Sequence, residues 1–417
     1  MVGRAPSASL APTRRIRGDI MRLPLENCPG TSLPQHHVEL FRSNPTLDIT
    51  LADGTAAIAV TRECDVRTVL SDNRFSRAQC HLPRAGADPH LPLALVTSDP
   101  PAHTRRRHAV QGWFTKRRAQ MALPLITGVA DHLADELLAA GPPVDIFTQF
   151  CQPFPNLVHM TLLGLDTADL GFLTPRITVA WSAGHHRPDE VTDANRDLYD
   201  YFDSRVSRSR SEATPGGLIG VLTGEGSAHG LTHAEIVMLT MGLFMSGAET
   251  TASHLALSLI EVLQRPSLAE SLRRHPEQIP SAVEELLRWV WFGGTIGGTA
   301  GRRHIATADV QLRDRLICEG DIVVPILDVA NRDRDAFPHA DEFCPQRRPN
   351  PHLGFGHGRH QCIGMAFARL ELQVGLHTLL SRLCGLALVR ASEIDWRTMM
   401  FTRGVWSLPV TWQGGGP

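Results

Sequence analysis

The sequence predicts a mainly α-helical protein with a small β-rich subdomain, folded as one domain. Two long segments have apolar residues at helical spacing and contain no proline, Thr232 to Arg265 and Met365 to Leu383. Shorter segments, 47–60, 301–310 and 320–329, are typical of strands. Because large helical enzymes can have a single core, a chain of 417 residues does not require a second domain.

Composition and charge exclude several classes of protein. The hydrophobic and charged fractions, 42% and 20%, are ordinary for a globular protein, and a formal net charge of −2 argues against a nucleic-acid partner. The 8 cysteines show no paired spacing, which indicates free thiols and a reducing, cytoplasmic location. The longest apolar run, 236–245, is about half the length of a membrane span, so no membrane association is expected.

The N-terminal residues contain several arginines among Ser, Pro and Ala and no apolar core of a signal peptide. We therefore expect a flexible tail over residues 1–24 and one domain over residues 25–417. A Pro-, Gly- and His-rich segment, 76–96, has no clear period and is a candidate substrate lid.

A glycine-rich segment, 352–364, ends in a single cysteine and is the most informative part of the chain. Its glycines permit tight turns, and Cys362 precedes the helical segment 365–383. At a helix N-terminus the dipole favours a thiolate over a thiol. One thiolate with no second cysteine nearby suits an axial ligand to iron held in a macrocycle.

Two other interpretations of this segment remain open. A zinc site would use His357, His360 and Cys362, but it lacks a Cys-x-x-Cys pair and needs a fourth ligand from elsewhere. Alternatively, Cys362 is a buried structural cysteine in a glycine turn.

Asp99-Pro-Pro predicts the start of a helix, with Asp99 as its cap. On that helix His103 and Arg107 are four residues apart and share a face, which suits carboxylate ligands. A solvated basic face is the alternative, and it fits Arg105 and Arg106.

The segment 232–265 opens with a capping box, Thr232-x-x-Glu235, and carries polar residues, 246–251, halfway along an apolar helix. A buried acid and a buried hydroxyl are costly unless they have partners or serve chemistry. Structural alternatives are a salt bridge for Glu249 and a bond from Thr250 to its own helix. Further on, Glu285 and Arg288 are three residues apart and close enough to pair.

Phe355-Gly-x-Gly-x-His360-x-Cys362-x-Gly364, followed by Ala366, Arg369 and Glu371, resembles the haem-binding loop of the cytochrome P450 family. Residues 99–107 are similar to the family's propionate-binding helix and 246–251 to its oxygen-activating motif. Glu285-x-x-Arg288 and Phe343-x-x-x-Arg347 match the segments of its buried structural triad. One departure is that His304 stands where many relatives have a propionate-directing arginine, although Arg302 and Arg303 precede it.

The resemblance implies the cytochrome P450 fold and a haem b whose iron is bound by Cys362. Its implied cofactor-binding residues are His103, Arg107, His304, Phe355, His360, Cys362 and Gly364. Gly247 would leave room for dioxygen, and Glu249 with Thr250 would relay protons. Glu285, Arg288 and Arg347 would be structural.

The implied activity is a monooxygenase of secondary metabolism that hydroxylates or oxidatively couples a small natural product. Because no Gly-x-Gly-x-x-Gly unit is present, we expect electrons from NAD(P)H through a separate ferredoxin and its reductase. A basic face of Arg105, Arg106, Arg359 and Arg369 is a hypothetical docking surface.

The C-terminal segments 348–353 and 395–398 are similar to actinobacterial members that oxidise aromatic cyclic dipeptides, as in the mycocyclosin-synthase-like branch. An aromatic cyclic dipeptide is therefore the first candidate substrate, and the alternatives are a polyketide or terpenoid, or a haem sensor without turnover. Candidate substrate contacts, by family position, are Trp181, Leu243, Trp291, Phe292, Thr295, Phe401 and Thr402, with His185, His186, Met399 and the rest of 243–247 as further candidates.

Overall fold

A computed structural model describes residues 21–22, 29–51, 53–80, 94–211, 216–224, 230–293 and 303–413. Within these ranges the chain is mostly helical. The helices are α1 (Gln35–Ser43), α2 (Glu63–Ser71), α3 (Ala102–Gln111), α4 (Lys116–Met121), α5 (Leu123–Ala140), α6 (Pro153–Leu163), α7 (Leu170–Ala180), α8 (Pro188–Ser209), α9 (Gly217–Thr223), α10 (His233–Leu263), α11 (Pro266–Arg274), α12 (Ile279–Trp289), α13 (Leu327–Ala330) and α14 (Met365–Arg382).

The strands are short and form several small sheets. They are β1 (Met21–Arg22), β2 (Thr46–Thr50), β3 (Ala56–Val60), β4 (Phe75–Ser76), β5 (Val144–Asp145), β6 (His304–Ala306), β7 (Val310–Gln311), β8 (Leu316–Ile317), β9 (Ile322–Pro325), β10 (Ala387–Leu388), β11 (Asp395–Trp396), β12 (Val405–Ser407) and β13 (Pro409–Thr411). A six-stranded sheet has the order β1-β2-β3-β9-β6-β4, and a three-stranded sheet has the order β10-β13-β5. The mainly helical fold with a small β-rich part is confirmed.

The predicted hairpin in 47–60 is present as antiparallel β2 and β3, with Leu47 opposite Ala59. Its turn contains Gly54 at a φ of 81°, a backbone conformation that glycine adopts without strain. The Asp53 carboxylate accepts a hydrogen bond of 3.0 Å from the backbone N–H of Thr55, which closes the turn.

Helix α10 is the central element of the described structure. It has 31 residues and is therefore about 46 Å long. Its first half packs into one apolar cluster with α7, α8 and α9, and its second half into another with α5, α6, α12 and α14. The predicted capping box is present: the Thr232 hydroxyl accepts from the Glu235 N–H, and the Glu235 carboxylate accepts from the Thr232 N–H.

Some local predictions were wrong. Asp99 does not cap α3, which begins after Pro101; its carboxylate instead accepts hydrogen bonds from Ser76, Arg77 and Ala78 of an earlier segment. The segment 320–329 is a strand only over β9, after which the chain turns into α13. No helix in the described ranges is long and apolar enough to cross a membrane.

Candidate functional site

A cavity of about 640 Å³ lies between α10, α3, the start of α14 and the glycine-rich segment 352–364, called the cysteine loop below. Most of its lining side chains are apolar. No aspartate or glutamate is among the lining residues that the structure describes. A cavity of this kind favours an apolar ligand, with any negative charge placed against the cationic groups described below.

Cys362 is one of the residues that line this cavity. The loop is closed by a hydrogen bond of 2.9 Å from the Cys362 N–H to the Phe355 carbonyl. Gly358 has a φ of 68°, and a Cβ there would collide with the Leu70 carbonyl of α2, so only glycine fits at this position. Gly364 is the last residue before α14, and a Cβ there would meet open space.

Without a bound metal, the surroundings of Cys362 do not favour the predicted thiolate. Burial raises the pKa of the thiol, and the Gly364 N–H together with the charges of Arg107 and Arg369 only partly offsets this effect. A directly bound metal cation would favour the thiolate, since a thiol that coordinates a metal is deprotonated.

Four cationic or donor side chains, Arg77, His103, Arg107 and His360, line one part of the cavity. The His103 and His360 rings are 4.3 Å apart, and the Nε2 atom of each is buried without a hydrogen-bond partner among the described residues. Burial, followed by the charge of Arg107, lowers the pKa of His103 to about 4. His103 is therefore a neutral imidazole at neutral pH and suits an acceptor such as a carboxylate.

These residues fit a haem. The thiol of Cys362, the apolar walls and the unpartnered donors at one end match an iron, a macrocycle and two carboxylates, respectively. When bound, a thiolate-ligated haem supplies dioxygen activation with cleavage of the O–O bond. Among the described residues no group of three or more His, Cys, Asp or Glu side chains is placed to bind a metal, so the zinc interpretation has no support.

Of the other predicted cofactor residues, Phe355 lines the cavity, whereas His304 does not. His304 is 1% exposed, and its Nε2 accepts a hydrogen bond of 3.1 Å from Nε of Arg77. Arg303 points to the β2–β3 turn, where it pairs with Asp53 at 2.8 Å, and Arg302 lies outside the described residues. Arg77 was missed, because only a single arginine after a short strand marks it in the sequence.

Thr250 and Glu249 of α10 face different surroundings. Thr250 lines the cavity, and its hydroxyl donates to the Ser246 carbonyl one turn earlier. Glu249 is buried outside the lining, where it pairs with Arg397 and accepts a hydrogen bond of 3.3 Å from Ser253. The two structural alternatives for this motif are therefore both present, and proton relay stays a prediction.

Gly247 is not part of the cavity wall. A Cβ at this position would collide with the ring of His159 on α6, so its missing side chain makes space for that ring. His159 Nε2 is in turn 3.2 Å from Oε1 of buried Glu371 on α14. The missing side chain of Gly247 therefore leaves room for the His159 ring, and the room for dioxygen that the resemblance implies stays a prediction.

The structural triad is brought together as predicted. Arg288 pairs with Glu285 at 2.7 Å, and Nε of Arg347 lies 3.1 Å from the same carboxylate. Arg288 also donates to the carbonyls of Asn331, Ala340 and Glu342, so α12 is tied to the segment that leads to the cysteine loop.

The predicted substrate contacts divide into three groups. Trp181, Leu243, Phe292, Phe401 and Thr402 line the cavity. Trp291 does not, because it is buried in another apolar cluster beneath the guanidinium of Arg403, and His185, His186 and Met399 are also absent from the lining. Thr295 lies outside the described residues, as does most of the candidate lid.

Sequence reasoning missed several lining residues because α10 is apolar on every side and gives no sign of which face is open. They are Met238, Leu239, Thr251 and His254. Met245 and Ser246 fall within the predicted range 243–247, whereas Phe244 of that range is buried away from the cavity.

The hypothetical basic docking face is not supported. Arg105 and Arg106 both pair with Glu235 at the start of α10. Arg369 pairs with Glu284, and Arg359 donates to the Asp72 carbonyl. These side chains are engaged in contacts within the protein, which weakens their availability to a partner.

Comparison with known proteins gives consistent matches over nearly the whole chain. The family model Cytochrome P450 matches residues 279–384. Mycinamicin IV hydroxylase/epoxidase of Micromonospora griseorubida is 36% identical, covering 93% of this chain and 98% of that protein. Nocardicin C N-oxygenase of Nocardia uniformis subsp. tsuyamanensis is also 36% identical, covering 95% and 100%.

Solved structures agree with this result. A point mutant of the mixed-function P450 MycG, in complex with mycinamicin IV, has a TM-score of 0.84 and 36% identity, covering 94% of this chain and 100% of that one. Cytochrome P450 TxtC, described with thaxtomin hydroxylation, has a TM-score of 0.80 and 32% identity, covering 90% and 99%. The chain therefore belongs to the cytochrome P450 family and is a P450 monooxygenase.

Proposed function

We propose that this protein hydroxylates a neutral, largely apolar natural product of the macrolide or related polyketide type. The observation that carries this proposal is the wall of the cavity away from the cationic end. Its side chains are aromatic and aliphatic, with hydroxyls and one imidazole as the polar groups: Trp181, Met238, Leu239, Leu243, Met245, Ser246, Thr250, Thr251, His254, Phe292, Phe401 and Thr402. Such a wall selects by shape and burial of apolar surface rather than by charge.

The names of relatives support this substrate class. Besides mycinamicin IV hydroxylase/epoxidase, the chain is 34% identical to mycinamicin VIII C21 methyl hydroxylase and 31% identical to 20-oxo-5-O-mycaminosyltylactone 23-monooxygenase. The cyclic-dipeptide branch has no support among these relatives, which act on macrolides and other natural products. The short C-terminal likeness is therefore outweighed by matches over the whole chain.

Hydroxylation is favoured over ring coupling by the residues on α10. Thr250 presents its side chain to the cavity, and Glu249 precedes it in a buried ion pair. An alcohol at the cavity, such as Thr250, and an acid next to it in the chain, such as Glu249, can take part in proton delivery to bound oxygen. Coupling two rings by hydrogen abstraction needs no oxygen insertion, so retention of this pair supports hydroxylation.

In this proposal Cys362 would bind the iron of haem b, His103 and Arg107 would hold its propionates, and Phe355, His360 and Gly364 would belong to its binding loop. Electrons come from NAD(P)H through a ferredoxin and its reductase, since the family's redox chemistry needs a donor. The protein's own contribution is to orient the substrate, exclude water and deliver protons.

An optical titration of the ferric protein tests the substrate class. We expect a saturable shift from low to high spin with a macrolide such as mycinamicin IV, and little or no shift with cyclic dipeptides that contain Trp, Tyr or Phe. Oxygenated product should then form with NADPH, a ferredoxin and its reductase. A dipeptide that gives the full shift while macrolides give none would overturn the proposal.

Leu243→Trp provides a matched variant, because a larger side chain there reduces the open part of the cavity. It should weaken the macrolide response by about tenfold or more, since one indole displaces several ligand contacts. The control is Met121→Trp, which makes a similar substitution at a side chain that is 63% exposed. Equal responses in wild type and both variants would show that the ligand does not occupy this part of the cavity.

A further inference from the structure

Arg77 lies at the cationic end of the cavity, directly after β4. This residue is 7% exposed, and two hydrogen bonds orient its guanidinium. Nε donates to Nε2 of His304 at 3.1 Å, and Nη1 donates to the carbonyl of Val96 at 3.2 Å. Arg77 thus places a buried cation in the cavity wall, at the end where the Nε2 atoms of His103 and His360 have no hydrogen-bond partner among the described residues.

The backbone of Arg77 is also fixed. Asp99 accepts hydrogen bonds from the Arg77 N–H at 3.2 Å, from the Ala78 N–H at 3.2 Å and from the Ser76 hydroxyl at 2.5 Å. Because Asp99 directly precedes the turn into α3, it links Arg77 to the helix that carries His103 and Arg107. The hydrogen bonds of Asp99 therefore connect the segment that carries Arg77 to the helix that carries His103 and Arg107, at the cationic end of the cavity.

The charges in this region point to a specific role. The cavity lining has no acid among the described residues, and its imidazoles, unlike its guanidinium groups, carry no permanent charge. Arg77 and Arg107 are then the permanent positive charges in the lining, and a haem brings two carboxylates. His304 accepts a hydrogen bond from Arg77 on Nε2, so this imidazole is occupied behind the arginine and not directed into the cavity.

We infer that Arg77 binds the haem propionate that the family pattern assigns to position 304, and that His304 is a positioning residue for the Arg77 guanidinium. Arg77 directly follows β4, and His304 is the first residue of β6. Because β4 and β6 are antiparallel neighbours, with Ser76 opposite Ile305, Arg77 lies next to the strand that carries position 304. This inference presupposes a haem in the cavity but is independent of the proposed substrate class.

An alternative interpretation is that the Arg77–His304 contact only ties β4 to β6. The two interpretations differ in what a substitution does to the haem itself. A purely structural contact affects unfolding without changing the propionates, whereas a propionate ligand affects their vibrations and the retention of the cofactor.

The test uses the holoprotein of wild type and Arg77→Gln. We expect haem transfer to excess apomyoglobin to be roughly tenfold faster in Arg77→Gln, the loss typical of one charge-assisted hydrogen bond. The propionate bending band in the resonance Raman spectrum should shift at the same time. The control is Arg74→Gln, which makes the same change three residues earlier, at a surface arginine paired with Asp72.

A rescue variant sharpens the test. In Arg77→Ser/His304→Arg the guanidinium returns to the neighbouring strand, and we expect haem retention to recover most of the way to wild type. If Arg77→Gln cannot be isolated with haem, Arg77→Lys is measured instead, and its propionate band should shift because an ammonium cannot reproduce the planar donor fork.

Wild-type haem transfer and an unchanged propionate band in Arg77→Gln, or an unchanged band in Arg77→Lys, would overturn the inference. The carbon-monoxide difference spectrum of the reduced protein separates this failure from a failure of the haem assignment. A thiolate-type spectrum with no effect at Arg77 removes only the propionate role, whereas absence of that spectrum in fresh wild-type protein removes the haem site itself.

Discussion

Glu249 and Thr250 are adjacent on α10 but have separate environments. Thr250 borders the cavity and bonds back to its own helix, while Glu249 is held by Arg397, a residue next to β11. Arg397 itself is fixed between the rings of Phe147 and Trp406, at 4.7 and 4.6 Å. A proton path through Glu249 therefore requires a change in this ion pair.

At this scale we predict that Thr250→Ala and Glu249→Gln lower product yield per NADPH several-fold and raise peroxide release, because the first removes the hydroxyl that borders the cavity and the second removes the neighbouring acid of the proposed relay. The measurement is NADPH consumed, product formed and peroxide released under one set of conditions. Thr240→Ala is the control, since Thr240 is a buried residue of α10 that also bonds to its own helix, through Ile236, but does not line the cavity. Unchanged coupling in both site variants would remove the relay role.

At the scale of elements, the start of α10 combines a capping box with two ion pairs. The carboxylate of Glu235 accepts from the Thr232 N–H and pairs with Arg105 and Arg106 of α3. Burial alone would raise the pKa of Glu235, but these hydrogen bonds and charges outweigh it and lower the pKa to about 2 from an ordinary value of 4.5. Helices α10 and α3 are thus joined by ion pairs that exist only when Glu235 is ionised.

The sign of the pH dependence follows from that lowered pKa. The stabilisation by Glu235 is fully present above about pH 4.5 and is lost as the pH falls from there towards about 2. We predict that Glu235→Gln, which keeps a capping acceptor but removes the charge, lowers the free energy of unfolding at neutral pH by on the order of 2 kcal/mol. Urea unfolding at a series of pH values should show the difference between wild type and variant shrinking in that acidic range. A difference independent of pH would contradict the assignment.

The elements that sequence could predict are those with local signals. The capping box fixed the start of α10, the turn at Asp53-Gly54 fixed the β2–β3 hairpin, and the glycines around Cys362 marked the loop. What could not be predicted depends on contacts between distant segments. Asp99 bonds to residues 76–78 instead of capping α3. Arg77 lines the cavity, whereas His304 does not. Neither fact has a local signature in the sequence.

For α10 the failure has a different cause. A helix that is apolar around its whole circumference carries no periodic signal for its open side. Hence Leu243 could be assigned to the cavity by family position, whereas the fact that Gly247 faces His159 could only be learned from the packing of α6 against α10.

At the scale of the whole molecule, the cavity lies where the two large apolar clusters meet along α10. The cysteine loop, α3 and the residues after β4 form the cationic side of the cavity. A ligand in the cavity would therefore contact all three segments. A bound cofactor adds stability in proportion to its affinity, by about 2.7 kcal/mol at a concentration one hundred times the dissociation constant. Stability of this region is therefore coupled to haem, whereas α5 packs mainly within one cluster at a distance from the cavity lining.

We predict that protein prepared without haem unfolds at a lower temperature and loses hydrogen-exchange protection unevenly. Protection should fall most in residues 94–111 and 352–364, because their side chains border the cofactor space, and least in α5 (Leu123–Ala140). Adding haem back should restore protection in the same segments. Protoporphyrin without iron cannot bond to Cys362, so it should restore protection around His103 and Arg107 but less completely around the cysteine loop. A uniform loss of protection through all these segments would contradict this prediction. It would mean that haem binding stabilises both apolar clusters as a whole and not only the segments that border the cavity.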